Sequence, residues 1–379
     1  MNDKALPAGW ARILVDPTGF SEEQARLAHV WTFLGLSRDL ARDGDWITAS
    51  LATRSVFVQR VGDELRGFEN ICAHRFYPLR TAERGNGPIV CGFHHWRYDS
   101  EGRALGVPLC EEAFGMVSRA LDARLTPIEV ATCGTLVFGR FPAPHATQSL
   151  EEFLGEGSAV LAAMSRMPAA PLAFTRPIAA NWRLCLHISL DDYHSPAIHP
   201  DSFGRGGYLH RPDITYARFG LHNAFIFDKG QDVFAKLIAD CRDGSARSTC
   251  YMILQVMPNL LIGHSQTDGS RYACALHAYV PVAHNRTLLR MWTYPTPFAI
   301  DEGRAGRLYR RASEPIRRRL VNRAVARIMD QDIAICERLQ AAAHQVDKPP
   351  RLGALEERIA WFEESYRWLL AEGQDEAVR

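Results

Sequence analysis

Residues 70–102 read NICAHRFYPLRTAERGNGPIVCGFHHWRYDSEG, and they contain two cysteine–histidine pairs. Cys72 and His74 form the first pair, and Cys91 and His94 form the second, with sixteen residues between the pairs. The chain has 9 Cys and 14 His in 379 residues, so a single C-x-H is easily obtained by chance. Two ordered pairs, each in a turn flanked by glycine or proline, are much harder to obtain that way. We therefore interpret the four residues as metal ligands.

The division of these ligands between two loops indicates which metal they hold. Two Cys and two His are also a zinc ligand set. Zinc fingers, however, usually place both cysteines before both histidines, whereas each loop here offers one thiolate and one imidazole. A Rieske-type [2Fe–2S] cluster needs two Cys on one iron and two His on the other. Two mixed loops on either side of a flat cluster supply that arrangement, so we favour the Rieske cluster over zinc.

This stretch resembles the cluster-binding signature of the Rieske non-haem iron oxygenases, the ring-hydroxylating oxygenase α-subunit family. The resemblance extends over about residues 30–370 through the order of elements. It implies an α+β chain with an N-terminal all-β Rieske domain, followed by a catalytic domain with a curved antiparallel sheet and flanking helices. His95 departs from the family, in which many members have glycine after the second cluster histidine, and we do not expect it to be a ligand.

Composition and charge exclude several classes of protein. Hydrophobic residues make up 47% of the chain and charged residues 23%, which is ordinary for a globular protein. A net charge of +1 gives no general attraction to nucleic acid or anionic membranes. The sequence has neither a signal-peptide pattern nor an apolar run of membrane-spanning length. Because the nine scattered cysteines do not form a disulfide framework, we expect a cytoplasmic protein.

The order of periodic segments predicts two domains. Short β segments separated by Gly and Asp turns begin near residue 45, after a helix expected from Ser21 to about Phe33, and VGDE (61–64) predicts a hairpin turn. Two prolines in FPAPH (141–145) end this pattern, so we place the Rieske domain at 1–145 and the catalytic domain at 146–379. In the second domain we expect mostly strands over 216–294, then a long helix over 303–345, in which Pro315 is a candidate for a break, and a last helix over 355–371.

The stretch 181–200, NWRLCLHISLDDYHSPAIHP, carries the candidates for a second metal site. Asp191 and His194 are three residues apart, and His194 and His199 are five apart. Five residues correspond to about 140° on a regular helix, so the imidazoles converge only if the helix is interrupted. Pro196 lies between them and favours a break. Two imidazoles and one carboxylate form the facial triad that binds Fe(II) and leaves positions open for O₂.

The third iron ligand has to come from elsewhere, and MDQDIAICERLQ (329–340) is the best candidate. It places Asp330 and Asp332 on a helix whose apolar residues indicate one buried side. From the residues alone these two carboxylates are nearly equal candidates, and the resemblance maps the ligand onto Asp332. His187 and His210 are weaker candidates for the metal.

The resemblance also implies how electrons reach the iron. In the family, the cluster of one subunit serves the iron of its neighbour in a ring of three subunits, so we expect a homotrimer. A carboxylate bridges a cluster histidine and an iron histidine. Asp191 matches that carboxylate and His94 matches the cluster histidine, and Asp191 would also orient the imidazole of His194. Asp192 is the alternative for the same role.

The function that follows is a terminal oxygenase that uses O₂, a Rieske [2Fe–2S] cluster and a mononuclear Fe(II). The chain has no dinucleotide-binding glycine motif in a strand–helix context, so electrons must come from a separate NAD(P)H-dependent reductase, with or without a ferredoxin. The chain is short for α-subunits that need a β-subunit, which favours hydroxylation or oxidative demethylation of a small aromatic or otherwise apolar substrate. Ring cis-dihydroxylation is the nearest alternative. An electron carrier or binding protein without oxygenase activity is the remote one.

Overall fold

The structure is a computed structural model that describes residue 6 and residues 10–144, 147–165, 170–200, 214–227, 232–243, 252–268, 271–294, 304–346 and 348–371. The chain divides into two compact units. The N-terminal unit is Gln24–Phe153, and the C-terminal unit is Met1–Glu23 together with Leu154–Arg379. This division differs from the domain boundary expected at residue 145, because the first residues of the chain group with the second unit.

Among the described residues, the helices and strands have the following bounds. The helices are α1 (Trp10–Ile13), α2 (Pro17–Leu27), α3 (Cys110–Phe114), α4 (Leu150–Leu154), α5 (Gly157–Ser165), α6 (Trp182–Ile188), α7 (Ser195–Ile198), α8 (Val233–Asp243), α9 (Arg304–Ala343) and α10 (Glu357–Ala371). The strands are β1 (Thr32–Leu36), β2 (Asp45–Leu51), β3 (Arg54–Val61), β4 (Glu64–Glu69), β5 (Arg84–Asn86), β6 (Ile89–Val90), β7 (Arg97–Tyr98), β8 (Ala104–Gly106), β9 (Pro127–Cys133), β10 (Leu136–Arg140), β11 (Leu172–Ile178), β12 (Thr215–Phe219), β13 (His222–Ile226), β14 (Met252–Val256), β15 (Leu260–Asp268), β16 (Arg271–Ala283) and β17 (Arg286–Tyr294). None of the described helices combines the length and the apolar content needed to cross a membrane.

The N-terminal unit is all-β around its core, as expected. A seven-stranded antiparallel sheet has the order β1-β10-β9-β4-β3-β2-β5, and β6-β7-β8 form a separate three-stranded sheet. The hairpin predicted at 61–64 is confirmed, since Val61 pairs with Glu64 and Gly62 takes the positive φ that a two-residue turn requires. Phe57 is fully buried and belongs to the same apolar cluster as Cys72 and Cys91. Burial of such a side chain stabilises the fold by about 1.5–3 kcal/mol and fixes both cysteine loops to the core.

The C-terminal unit is built on a second seven-stranded antiparallel sheet with the order β11-β17-β16-β15-β14-β13-β12. Side chains alternate along a strand, and residues directly opposite one another on paired strands share a face. One face carries Tyr279, whose hydroxyl lies 2.7 Å from Ser189 Oγ at the end of α6. We call this the site face, because it is turned toward the segment that follows α6.

One expectation about an individual element was wrong. Helix α2 ends at Leu27 and not near Phe33, because Thr32–Leu36 form an edge strand that pairs with β10. Helix α8 (Val233–Asp243) lies within the span in which we expected mostly strands, and its apolar residues Val233 and Leu237 recur at helical spacing. The long helix expected over 303–345 is confirmed as α9, which continues through Pro315 without a break.

A buried charge network fixes α6 against α10. Arg183 and Glu363 are each 1% exposed and form a two-pronged ion pair, with Arg183 Nε donating to Glu363 Oε1 at 3.2 Å. His187 Nε2 lies 2.9 Å from the same carboxylate oxygen, and its ring stacks on Trp10. Burial opposes the ionisation of Glu363, but Arg183 and His187 outweigh it and lower the pKa of this carboxyl to about 2. The helix that leads into residues 191–199 is therefore held by charge as well as by packing.

The Glu363→Leu variant tests this network. It leaves Arg183 buried without its partner, so we expect a loss of about 3–5 kcal/mol in the free energy of unfolding at pH 7, measured by urea denaturation. In the native protein this contribution is fully present above the ordinary pKa of a glutamate and is lost as the pH falls toward 2, since the folded-state pKa is the lower one.

The neighbouring residue provides the control. Glu364 forms an exposed ion pair with Arg218, so Glu364→Leu should cost no more than about 1 kcal/mol. Replacing both members of the buried pair, as in Arg183→Met with Glu363→Leu, should recover most of the loss. Equal effects of the Glu363 and Glu364 variants would contradict the assignment.

Candidate metal centres

The two cysteine loops of the N-terminal unit share one backbone turn. In each loop the cysteine N–H donates to the carbonyl five residues later at 2.9 Å, and the residue four positions after the cysteine donates back to its carbonyl at 3.0 Å. That fourth residue is Phe76 in one loop and His95 in the other, with φ values of 60° and 59°. This left-handed region favours glycine, which accounts for the glycine expected at position 95. His95 itself is exposed, in keeping with its exclusion as a ligand.

The four predicted cluster ligands are brought together with a clear polarity. Cys72 and Cys91 are each 1% exposed, whereas His74 and His94 are only half-buried. The two imidazole rings lie 4.7 Å apart between centroids. The Nδ1 atom of each ring is buried and has no hydrogen-bond partner within the described part of the chain. Two buried thiols with two unsatisfied imidazole nitrogens beside them fit a metal group with its sulfur side inside and its histidine side near the surface.

Their spacing distinguishes a two-iron cluster from a single zinc ion. Within the described residues, the one group of three or more donors whose ligand atoms all lie within 4.8 Å of each other is His194, His199 and Asp332. The two cysteines and two histidines of the N-terminal unit do not form such a group. Four ligands of one tetrahedral zinc ion would lie that close, because Zn–S and Zn–N bonds are only about 2.0–2.3 Å long. The geometry therefore favours the [2Fe–2S] group.

Tyr98 and Trp96 enclose this site in different ways. The Tyr98 hydroxyl lies 3.0 Å from Cys72 Sγ and accepts a hydrogen bond from the Ala73 N–H at 3.1 Å. A metal-bound thiolate carries no proton, so the hydroxyl is then the donor to sulfur. Trp96 is buried and stacks on His74, with ring centroids 4.8 Å apart. The spacing of the ligands in the sequence did not indicate the hydrogen bond to sulfur.

In the C-terminal unit, the segment after α6 turns twice to bring His194 and His199 together. Asp191 Oδ1 accepts hydrogen bonds from the N–H groups of Tyr193 and His194, which ends the first turn. The one-turn helix α7 follows, with Pro196 in its first turn, and the two histidines flank it. The interruption expected at Pro196 is present, and it takes the form of a short separate helix.

Asp332, on α9, meets both histidines. Its Oδ1 lies 2.9 Å from His199 Nε2 and 3.5 Å from His194 Nε2. This oxygen is buried, yet no contact in the described residues has the direction of a good hydrogen bond to it, although His199 Nε2 is at hydrogen-bond distance. Three donor atoms that converge without bonding well to each other fit a shared metal ion. These residues could hold one iron, with the remaining positions open.

The other nitrogen of each imidazole is engaged, which fixes the ring orientation. His194 Nδ1 lies 2.6 Å from the Asp191 carbonyl oxygen, and His199 Nδ1 lies 2.9 Å from Gln331 Oε1. With the proton on Nδ1, both Nε2 lone pairs point to the metal position. Sequence reasoning missed Gln331, although its place next to Asp332 on the same helix was the available signal.

Neighbouring carboxylates favour the protonated form of His194. Burial opposes the protonated form of His194, but Asp191 and Asp332 outweigh burial and raise the pKa of this imidazole to about 10. The imidazoles of His194 and His199 outweigh the effect of burial on Asp332 and lower the pKa of its carboxyl. A metal must therefore displace a proton from His194, so metal binding weakens as the pH falls.

Asp332 and Asp330, the two candidate carboxylates, differ in exposure and in what they contact. Asp332 is 8% exposed and faces the histidines, whereas the Asp330 side chain is 64% exposed and lies 3.8 Å from Arg176. Two other residues of α9 anchor this helix to the chain before α6. Glu337 Oε1 accepts a hydrogen bond from the Ala179 N–H, and Gln340 Oε1 accepts one from the Asn181 N–H. The ordered Asp–Glu–Gln pattern of this helix thus provides one candidate ligand and two anchors.

The remaining candidates have other roles or lie outside the described residues. Asp192 is buried and accepts a hydrogen bond from the Tyr216 hydroxyl at 2.9 Å, and burial raises the pKa of its carboxyl to about 6. Asp191 keeps 17% of its side chain exposed, with Oδ2 3.7 Å from His194 Nδ1. His187 belongs to the buried network with Glu363. His210 lies outside the described residues.

Comparison with known proteins gives two family matches in this chain. A family model described as the Ring hydroxylating alpha subunit (catalytic domain) matches residues 169–372, and one described as the Rieske [2Fe-2S] domain matches residues 30–125. The carnitine monooxygenase oxygenase subunit of Escherichia coli is 28% identical over 235 residues, which are 59% of this chain and 62% of that protein. The anthranilate 1,2-dioxygenase large subunit of Acinetobacter baylyi is 31% identical over 184 residues, 45% of this chain and 37% of that protein. These matches span less than two thirds of either relative.

Solved structures show the same fold over nearly the whole chain. A naphthalene 1,2-dioxygenase from Rhodococcus sp. superposes with a TM-score of 0.75 at 21% identity, covering 98% of this chain and 95% of that one. A quaternary ammonium Rieske monooxygenase in complex with L-carnitine gives 0.73 at 15% identity, covering 98% and 97%. The expected fold, a Rieske domain followed by a curved antiparallel sheet with helices, is confirmed.

The Tyr98→Phe variant tests the hydrogen bond to the cluster ligand. Removing a donor to a thiolate destabilises the reduced, more negative state of a bound cluster more than the oxidised state. A difference of about 1 kcal/mol corresponds to a midpoint potential lower by roughly 40 mV, measured by a redox titration of the cluster absorption. Tyr77→Phe, on an exposed residue of the same loop, should leave the potential unchanged. An unchanged potential in Tyr98→Phe would exclude the bond to sulfur.

Variants of the two aspartates test the iron ligand. We expect about three iron atoms per chain, two in the cluster and one mononuclear. Asp332→Asn should reduce the content to about two while leaving the cluster absorption intact, because a neutral amide binds Fe(II) poorly. Asp330→Asn should keep about three. Loss of the mononuclear iron in Asp330→Asn alone would reverse the assignment.

Proposed function

This chain belongs to the ring-hydroxylating α-subunit family with a Rieske [2Fe–2S] domain, and we propose that it is a terminal oxygenase. Its reaction would be the hydroxylation or oxidative demethylation of a small aromatic or otherwise apolar organic substrate. The observation that carries this proposal is the convergence of His194, His199 and Asp332, with ligand atoms within 4.8 Å, in the catalytic domain of this family.

The residues that would hold the two metal groups are those already described. Cys72, Cys91, His74 and His94 would bind the cluster, and the two later histidines with Asp332 would bind the iron. When bound, the cluster supplies electrons one at a time and the mononuclear iron activates O₂.

The protein side chains prepare these centres. Tyr98 donates to Cys72 Sγ, and Gln331 and the Asp191 carbonyl keep the iron imidazoles in one tautomer. On the site face of the sheet, Ile253 and Ala275 would offer apolar surface to the substrate. Because the pKa of His194 is raised, this imidazole would have to release a proton for the iron to bind.

Electrons would pass between subunits of a homotrimer through Asp191. Its partial exposure and its distance of 3.7 Å from His194 Nδ1 support a carboxylate that joins this imidazole to His94 of a neighbouring copy. Asp192 is less suited to this role, because it is buried and engaged with Tyr216.

The chain would depend on a separate NAD(P)H-dependent reductase, with or without a ferredoxin. We place it in the cytoplasm, since the eight cysteines in the described residues are all free, as a reducing compartment requires.

Dioxygenation is a second candidate, supported by the 31% identity to an anthranilate 1,2-dioxygenase large subunit. Both reactions use the same metal centres, so the described site does not favour one over the other. The fate of the two oxygen atoms distinguishes them.

Isotope labelling tests both candidates. The reduced, iron-loaded protein would be given ¹⁸O₂ with aromatic acids, amines and polycyclic compounds in turn, with O₂ consumption and product mass recorded. We expect substrate-dependent consumption with one labelled oxygen in the product, or in released formaldehyde. Two labelled oxygens would establish dioxygenation. Asp332→Asn, with an intact cluster, should show no product, and product formation by this variant at the native rate would contradict the proposed site.

A further inference from the structure

The site face of the C-terminal sheet has a small hollow at its centre. Four neighbouring residues on three strands keep accessible surface there: Ile253, Gly263, Ala275 and His277. Strand pairing places Ile253 opposite Gly263 and Gly263 opposite Ala275, and His277 is the next residue on this face of β16. Adjacent residues on the other face are fully buried, namely Leu254, Ile262 and Leu276. Accessible surface in the middle of a seven-stranded sheet indicates room above this patch.

The surroundings of Gly263 show that the described residues leave this space unfilled. Among the described residues, the atoms nearest to a Cβ placed on this glycine would be the Ala275 carbonyl oxygen and Ile253 Cγ1, both at 4.0 Å. Other glycines of paired strands are crowded: a Cβ on Gly67 would lie 2.5 Å from Ile128 Cγ1. Close packing of protein interiors normally fills such space. A glycine facing an alanine therefore keeps the hollow open.

His277 is the polar group of the hollow. Its Nε2 atom is buried and has no hydrogen-bond partner within the described parts of the chain. Burial lowers the pKa of this imidazole to about 4, despite the opposing influence of the Asp332 carboxylate. The ring is therefore neutral at physiological pH, with one donor and one acceptor nitrogen. His277 lies two residues before Tyr279 on the same face of β16, and the Tyr279 hydroxyl contacts Ser189, which precedes the segment with the candidate iron ligands.

A buried nitrogen without a partner is costly, and native proteins rarely keep one unless another molecule satisfies it. We propose that His277 anchors the substrate, by a hydrogen bond to an oxygen of a small molecule whose apolar body fills the hollow beside Gly263 and Ala275. This inference rests on the proposed oxygenase function, because it names the substrate class of the same site.

The chemistry of the hollow selects a class of compound. A quaternary ammonium group has no hydrogen-bonding atom, and its recognition requires aromatic faces or carboxylates around the cation. Among the four residues of the hollow, the single imidazole of His277 is the one aromatic ring, and none carries a carboxylate. A carboxylate or carbonyl on a ring-sized apolar body satisfies both the imidazole and the apolar floor. Aromatic acids thus fit this hollow better than quaternary amines.

Calorimetric titration of the anaerobic, iron-loaded protein tests the anchor without requiring turnover. The probes are benzoate, toluene as the apolar match without oxygens, and tetramethylammonium. We expect benzoate to bind more tightly than toluene and tetramethylammonium not to bind. His277→Phe keeps the ring and removes the nitrogens, so it should weaken benzoate about 10- to 100-fold and leave toluene unchanged or tighter.

Two further variants separate the anchor from the hollow. Gly263→Val fills the space and should weaken benzoate and toluene alike. His344→Phe, on an exposed histidine beyond α9, is the matched control and should change neither. Iron content and thermal midpoint are measured for each variant to exclude misfolding.

The binding results either support or overturn the role of His277. Unchanged benzoate affinity in a folded His277→Phe protein would overturn it, as would tighter binding of tetramethylammonium than of benzoate, or no binding of benzoate to the native protein. Selective, His277-dependent binding without oxygenated product would support the anchor and count against the proposed function alone.

Discussion

The candidate iron site of the C-terminal unit depends on keeping a buried carboxylate beside two imidazoles. Burying a charge is costly unless it is paired or binds a metal, and Asp332 is both buried and only poorly bonded to its neighbours. The surrounding structure holds it there. Glu337 and Gln340 fix α9 to the backbone before α6, and the Arg183–Glu363 pair fixes α6 to α10. Two sets of polar anchors, distant in sequence, therefore position a single ligand.

In the N-terminal unit, backbone turns position the candidate cluster ligands. Two loops with the same hydrogen-bond pattern place their cysteines in the apolar core and their histidines nearer the surface. In a Rieske cluster this polarity leaves the histidine side near the surface, where electrons are exchanged, and keeps the sulfur side dry. Each turn requires a left-handed residue, and Phe76 and His95 take that conformation although they are not glycines. Strain of this kind is retained where the ligand geometry depends on it.

The groups that orient the two candidate iron-binding imidazoles come from both local and distant parts of the chain. Asp191 acts on His194 from three residues away, so a short turn is enough to orient that ring. Gln331 acts on His199 from the long helix, which makes the orientation of this ring dependent on the docking of α9. The same helix carries Asp332. Correct placement of α9 therefore sets one ligand and the tautomer of another together.

The sequence alone determined what is local. The spacing of Cys72, His74, Cys91 and His94 identified the cluster loops, and Pro196 between His194 and His199 required the break that α7 provides, because a proline and a five-residue spacing constrain the backbone directly. The tertiary structure alone decided what depends on which side of an element is covered. Asp330 and Asp332 are two residues apart, about 200° on a helix, so only the packing of α9 shows which one faces inward. The first two residues of β1, Thr32 and Phe33, were expected in a helix, because their strand conformation comes from pairing with β10. The accessible surface around His277 arises from a glycine on the neighbouring strand. These features result from contacts between segments far apart in the chain, and local sequence patterns do not carry that information.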